Sequence, residues 1–397
     1  MPALLTIDEA LTLVLRYALP LEVEAVPIEQ AAGRVPADDV HSLVSLPPFR
    51  SSAMDGFAVR VADTPGRLRV VDRIRAGRPA KRVLAAGEAM GIATGGSVPG
   101  GADGVVPIER VEDGGAEVLV GAPVSEMDNI RAVGSDVGAG ELLLSAGIVL
   151  GPAQIGALAA AGVAEVRCAR RPRVAVLSTG TELRPPGSAL EPGQIYESNA
   201  PMLAAALGSS GAVVTLLAAV TDDPDAHRAA LARGLEADVL VSSGGVSVGP
   251  HDLVRRIAAE LGVEEIFWGV AVKPGKPVAF GVRGRTLVFG LPGNPVSALV
   301  AAELFVRPAL RALQGASTPE PAYAIGRLSA PLRASAARDQ LVRARSRLEA
   351  GEVVLEPLSG QESHMIARSA AADTLVLVSR GDREHVAGDR IPFLRLS

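Results

Sequence analysis

Cysteine is almost missing from this chain. Cys168 is the only one in 397 residues, so neither an intrachain disulfide nor a thiolate cage for a metal can form. That suits a reducing compartment and gives the expectation of a cytoplasmic protein. Aromatic residues make up only 3% of the chain and the net charge is -5. Bases would find few stacking platforms and a phosphate backbone no general attraction, so nucleic acid is not expected as a partner. Long apolar runs are also lacking. The most apolar stretch, 203–220, is interrupted by Gly208-Ser-Ser-Gly211 and reads as helix, turn and strand, not as a membrane span. The opening Met1-Pro-Ala-Leu-Leu-Thr6-Ile-Asp-Glu9 has acids where a leader peptide would be basic or apolar. The five histidines, His41, His227, His251, His364 and His385, have no metal-ligand spacing and read as structural or surface residues.

Lysine is scarce in a more informative way. Of 39 basic residues only three, Lys81, Lys273 and Lys276, are lysine, and two of these bracket one turn, Lys273-Pro-Gly-Lys276. An ammonium is a compact charge on a flexible stem, whereas arginine offers a planar fork. Two point charges in one turn make a seat for a small, multiply charged oxyanion. A plain turn with two solvated lysines explains the motif equally well on its own.

Hydrophobic residues at 48% and charged residues at 21% describe a globular chain long enough for several cores. Thr6-Ile-Asp-Glu9 has capping-box spacing and predicts a helix to about residue 18. Residues 46–141 carry short Val/Ile/Leu runs divided by glycine turns and predict a β-rich module. The helical pattern of 152–161 predicts packing against the first helix, which would make 1–45 plus 142–168 one discontinuous domain with 46–141 inserted. From 169 to 316 strand and helix patterns alternate and predict an α/β domain with a parallel-type sheet. Alternating runs in 317–397 predict a small C-terminal β domain. The fold class is therefore multidomain α/β.

In parallel sheets ligands bind beyond the carboxyl ends of the strands. Five loops follow strands here: Thr179-Gly-Thr-Glu182, Asp222-Asp223, 242–249, Lys273 to Lys276, and Pro292-Gly-Asn294-Pro295. They are expected to share one rim. Glu182, Asp222 and Asp252 would give hard oxygen donors for a cation such as Mg²⁺, although Asp222 and Asp252 each also read as helix caps. Ser242-Ser243-Gly244-Gly245 lets backbone N–H groups approach a phosphate; most such sequences are plain loops, and neither a P-loop nor a dinucleotide fingerprint is present. Asn294-Pro295 starts a helix and could attract an anion or simply cap it.

Taken together these motifs resemble the MoeA family of molybdopterin molybdenumtransferases, relatives of the gephyrin E domain. The matching stretches are Pro47-Pro-Phe-Arg-Ser-Ser-Ala-Met-Asp55-Gly-Phe-Ala58, Ile92-Ala-Thr94-Gly, Asn129-Ile-Arg131, Leu177-Ser-Thr-Gly-Thr-Glu-Leu183 and Gly193-Gln-Ile-Tyr-Glu-Ser-Asn199. Further on come Thr221-Asp-Asp-Pro224, 242–249, Lys273-Pro-Gly-Lys-Pro277 and Gly290-Leu-Pro-Gly-Asn-Pro-Val-Ser297. They run in order over nearly the whole chain. The resemblance implies a homodimeric enzyme of molybdenum cofactor biosynthesis whose cleft is completed by the partner subunit. It takes adenylylated molybdopterin, cleaves the phosphoanhydride with Mg²⁺, releases AMP and inserts molybdate between the pterin's dithiolene sulfurs. It further implies Asp55, Thr94, Glu182, Asp222 and Asp252 as site residues, Lys273 and Lys276 facing the oxyanion, and Arg343 with Ser363 as remaining oxyanion contacts. Arg131, Ser242, Ser243, Gly244, Gly245, Pro292, Asn294 and Pro295 complete the expected substrate contacts.

Two positions depart from the family pattern. Gly269 follows Phe267-Trp268 where many members carry a basic residue, and Ser135 stands before Asp136 where an acid is common. Both leave open a tungstate-preferring insertase or a non-catalytic paralogue that binds pterin or serves as a scaffold.

Overall fold

The structure, a computed structural model, describes residues 4–221, 223–245 and 253–396. Helix α1 (Ile7–Tyr17) begins at the expected capping box: the Glu9 N–H donates to Thr6 Oγ1 at 3.1 Å, and the Thr6 N–H to Glu9 Oε2 at 2.8 Å. Its apolar face (Ile7, Ala10, Leu11, Val14) is buried against Leu304, Phe305 and Leu310 of the α/β domain. The sequence placed this helix against α2 (Pro152–Ala160), and the structure corrects that. The apolar side chains of α2 join a separate small core with Val26, Ala31 and Val166. What joins the chain on either side of residues 46–141 is strand pairing. Val23–Pro27 runs antiparallel to Glu165–Ala169, and Val40–His41 to Leu142–Leu144.

Between those flanks, Gly56–Val59, Gly66–Ile74, Glu88–Ile92, Gly104–Pro107, Val111–Asp113 and Glu117–Val120 form a six-stranded sheet. Successive residues of a strand face opposite sides. Phe57 and Val59 therefore enter one core and Ala58 the other, with apolar residues on both faces.

The α/β domain is a six-stranded sheet in the spatial order Val213–Leu216, Arg173–Ser178, Val239–Ser243, Thr286–Leu291, Ala279–Arg283, Glu264–Trp268. The first four are mutually parallel. The sheet is nevertheless mixed. Arg283 and Thr286 close a hairpin over Gly284-Arg285, with Gly284 at φ 58°, so Ala279–Arg283 runs backwards. Glu264–Trp268 reverses again, which restores the common direction and brings the chain after Trp268 to the same rim as the other strand ends. Helices α3 (Asn199–Gly208), α4 (Pro224–Gly234) and α5 (Leu253–Glu260) cover the faces. Helix α6 (Pro295–Ala301) continues through a π-helical turn, Ala302–Val306, into α7 (Arg307–Leu313). Buried Glu303 faces Arg307 inside that turn at 2.7 Å.

The C-terminal domain is a six-stranded sheet whose edge strand, Val272–Lys273, comes from the α/β domain. It pairs in parallel with Asp339–Gln340. The lysine turn is thus the seam between two domains. Among the described residues no helix is long and apolar enough to cross a membrane.

Arg170 fastens the first domain to the central sheet through both oxygens of Asp238, at 2.6 and 2.8 Å, and the Arg173 N–H adds a third bond at 2.8 Å. Burial alone would raise the Asp238 carboxyl, but these donors outweigh it and hold the pKa at about 2, below the ordinary 3.8. A carboxyl depressed on folding stabilises fully above its unfolded value and loses that contribution as pH falls through the folded one. Asp238→Asn should therefore cost ~2 kcal/mol at neutral pH. The gap to wild type should close between about pH 4 and 2, as read from urea midpoints across that range.

Candidate active site

At the carboxyl ends of the parallel strands lies an open cavity of about 790 Å³. Three loops expected on the rim form its floor. Thr179 to Glu182 follow Arg173–Ser178, Ser243 to Gly245 end Val239–Ser243, and Pro292 to Pro295 lead from Thr286–Leu291 into α6. Strand alternation separates the two serines. Ser243 lines the cavity and donates to the Pro292 carbonyl at 3.2 Å, whereas Ser242 turns its hydroxyl to the Phe289 carbonyl on the far face. The glycines are required by geometry. Gly244 and Gly245 have φ of 92° and 63°, and a Cβ on Gly244 would sit 2.7 Å from the Thr179 carbonyl oxygen. The Gly245 and Gly293 N–H groups have no hydrogen-bond acceptor among the described residues.

Two carboxylates enter this space. Glu182 is exposed and accepts no side-chain hydrogen bond among the described residues. Glu197, half-buried, uses only Oε1, which takes the Ser178 hydroxyl at 2.9 Å and the Ala200 N–H at 2.8 Å. They flank one short parallel ladder, Leu183–Arg184 beside Ile195–Tyr196: Glu182 precedes the first strand, its carbonyl accepting the Ile195 N–H at 3.0 Å, and Glu197 follows the second. Asn199 donates to Ser243 Oγ and to the Gly293 carbonyl, each at 2.7 Å, and its buried Oδ1 has no partner among the described residues. Asp222 and Asp252, expected to join Glu182 on a cation, lie outside the described residues. Among those described, no group of three His, Cys, Asp or Glu side chains is gathered for a metal.

Several expected positions stand elsewhere. Lys273 and Lys276 are on the same rim but do not line this cavity. Their turn reaches it through Pro277, and neither forms an ion pair among the described residues. The start of α6 is not an open anion seat: the Val296 N–H is taken by the Ser363 carbonyl at 3.2 Å, and Asn294 Nδ2 donates to Ser363 Oγ at 2.9 Å. Arg343, expected as an oxyanion contact, is buried at 1% exposure. Its guanidinium is spent on the Met365, Gly360 and Glu362 carbonyls and on Ser369 Oγ, so it braces the loop that carries Ser363.

Asp55 accepts the Thr94 N–H at 2.6 Å and its hydroxyl at 2.9 Å, and these two donors, backbone first, hold its carboxyl below the ordinary range. Arg131 lies nearby through the pairing of Ile130–Arg131 with Ser51–Ser52, whose other side bonds to Gly95 and Gly96. These three residues form an exposed patch of the β-rich module and do not line the cavity.

Sequence reasoning missed Glu197, Tyr196, His227 and His364, all of which line the cavity. His227 and His364 were set aside for lack of ligand spacing. His227 is in fact buried in the wall, with Nδ1 3.0 Å from the Asp223 carbonyl oxygen. Gly269 explains one departure from the family pattern. It adopts φ 91°, and a Cβ there would lie 2.7 Å from Leu4, whose neighbour Leu5 bonds to the Gly269 carbonyl. The N-terminal segment occupies the space a basic side chain would need.

Residues 5–162 match the MoeA N-terminal region (domain I and II), 175–312 a probable molybdopterin binding domain, and 326–396 the MoeA C-terminal region (domain IV). The chain is 39% identical over 381 residues to molybdopterin molybdenumtransferase 2 of Mycobacterium tuberculosis, covering 92% of this chain and 93% of that protein. It is 33% identical over 405 residues to the molybdopterin molybdenumtransferase of Haemophilus influenzae, covering 99% and 100%. A crystal structure of a molybdopterin biosynthesis MoeA protein from Pyrococcus horikoshii superposes with a TM-score of 0.81 at 33% identity, covering 99% of both chains.

Proposed function

Since the chain belongs to the MoeA family of molybdopterin molybdenumtransferases, we propose that it inserts molybdate into molybdopterin presented as its adenylate, releasing AMP. The observation that carries this reading is the 790 Å³ cavity at the strand ends, with two carboxylates and two backbone N–H groups that have no acceptor among the described residues. Its volume suits a ligand built from a pterin and a nucleotide. The Gly245 and Gly293 N–H groups donate to phosphate oxygens.

The donor set fits Mg²⁺. Glu182 and Glu197 offer hard oxygens, and this ion is commonly held by one or two carboxylates together with substrate phosphates. When bound, it supplies positive charge to the phosphate oxygens as the anhydride opens. Lys273 and Lys276 stand on the neighbouring turn, outside the large cavity, which supports a separate seat for the tetrahedral dianion beside the larger substrate. Their flexible stems follow an oxyanion whose coordination changes. The sulfurs that take the metal belong to the pterin, so one buried cysteine suffices.

The patch of Asp55, Thr94 and Arg131 stands apart from the cavity lining, which supports a homodimer in which the partner's β-rich module completes each cleft. Incubation with adenylylated molybdopterin, Mg²⁺ and molybdate should release AMP in proportion to pterin consumed. Absence of release would make the protein a binding scaffold. In the same assay, Lys273→Ala with Lys276→Ala should remove dependence on molybdate and cut turnover at least about a hundredfold. AMP should still bind, because neither lysine walls the cavity. Wild-type turnover in that double variant would take the lysines out of the mechanism.

A further inference from the structure

We infer that Tyr196 is the stacking platform for a planar ring of the substrate, a role that rests on reading the cavity as a nucleotide–pterin site. Among the described residues, Tyr196 is the one Phe, Tyr or Trp that lines the cavity, in a chain with only 3% aromatics. It is 46% exposed, although burying a ring is favourable. Its position is fixed at both ends. The hydroxyl donates to the Ser188 carbonyl at 2.8 Å, and the backbone pairs with Arg184 while the next N–H, that of Glu197, bonds to the Arg184 carbonyl at 2.9 Å. The ring is therefore held open at little further entropic cost when a ligand arrives.

The placement also matters. Tyr196 directly precedes Glu197 and sits across the ladder from the strand following Glu182, so the segment that aims the two carboxylates also presents the ring. A face-on contact of this kind tolerates any flat heterocycle, so the chemistry fits adenine and pterin alike.

Three probes separate these sources on the full-length chain: AMP, a 6-substituted pterin lacking phosphate, and ribose 5-phosphate lacking a ring. Tyr196→Leu should weaken at least one ring-bearing probe about tenfold and leave ribose 5-phosphate unchanged. Tyr196→Phe should lose much less affinity than Tyr196→Leu, because it keeps the face that makes the contact and gives up only the hydroxyl's tie to Ser188. The ring probe that loses affinity is the one stacked on Tyr196. Equal affinity of wild type and Tyr196→Leu for both ring probes overturns the stacking role and leaves the cavity assignment standing. Failure of wild type to bind any probe overturns both.

Discussion

Glu182→Gln should yield a folded protein with AMP release reduced at least about a hundredfold, since removing a group that places charge on a reacting phosphate costs several kcal/mol of barrier. The fold should not notice. Glu182 is exposed and its carboxylate makes no hydrogen bond among the described residues, and such surface changes normally stay within about 0.5 kcal/mol. Glu197 makes the contrast. Its Oε1 receives Ser178 and the Ala200 N–H near the start of α3. Glu197→Gln keeps an acceptor there and loses only charge, whereas Glu197→Ala also removes the cap and should cost ~1 kcal/mol. Melting temperature and AMP release, measured together across the three variants with rising Mg²⁺, distinguish the roles. A carboxylate that holds the cation raises the Mg²⁺ requirement when neutralised, and a merely structural one does not. Wild-type release by Glu182→Gln at limiting Mg²⁺ would exclude this carboxylate from the chemistry.

How much of this was legible beforehand depended on whether the controlling physics is local. The capping box of α1 is local, and Thr6 and Glu9 stand where their spacing puts them. The partner of α1 is not, because an apolar stripe says that a face is buried and not against what. Hence the helix went to the α/β core instead of α2. Strand ends and their loops followed from the α/β pattern, so Glu182, Ser243, Gly244 and Asn294 fell on one cavity. Ala279–Arg283 runs against its neighbours because a two-residue hairpin joins it to Thr286–Leu291, which is again local. Glu197 sat within a motif already noted, Gly193 to Asn199, but nothing in its spacing distinguished a cavity carboxylate from a helix cap. It is both. The lysine turn stands on the expected rim, but its neighbour Pro277, and not the ammonium groups, faces the cavity.

Arg343→Met should be strongly destabilising, on the order of 3 kcal/mol. The cation is buried and makes no ion pair among the described residues, the Glu362 carboxylate acting on it through its charge alone. Burial lowers its pKa, and four acceptors receive it: the Gly360, Glu362 and Met365 carbonyls and Ser369 Oγ, at 2.7 to 3.2 Å. Methionine takes up much of the volume but removes that donor from all four: the Gly360 carbonyl is left a desolvated polar group, while the Glu362 and Met365 carbonyls keep only the Met365 N–H and the Ser369 hydroxyl. Lysine is a poor substitute, since a single ammonium cannot span acceptors arranged for a fork. The loss should not spread evenly. Gln361 ties this loop to the Arg343 backbone in both directions, and the following Ser363 takes the Asn294 amide while its carbonyl receives the Val296 N–H. Loosening 360–366 therefore removes His364 from the cavity wall and uncaps α6 at the same time. Hydrogen exchange should rise first in 358–370 and in the first turn of α6, with the β-rich module unchanged, and the KM for the adenylate should increase more than kcat falls. Were the guanidinium itself an oxyanion contact, Arg343→Lys would keep its charge and preserve activity. The bracing role instead predicts that Arg343→Lys behaves like Arg343→Met in both exchange and KM.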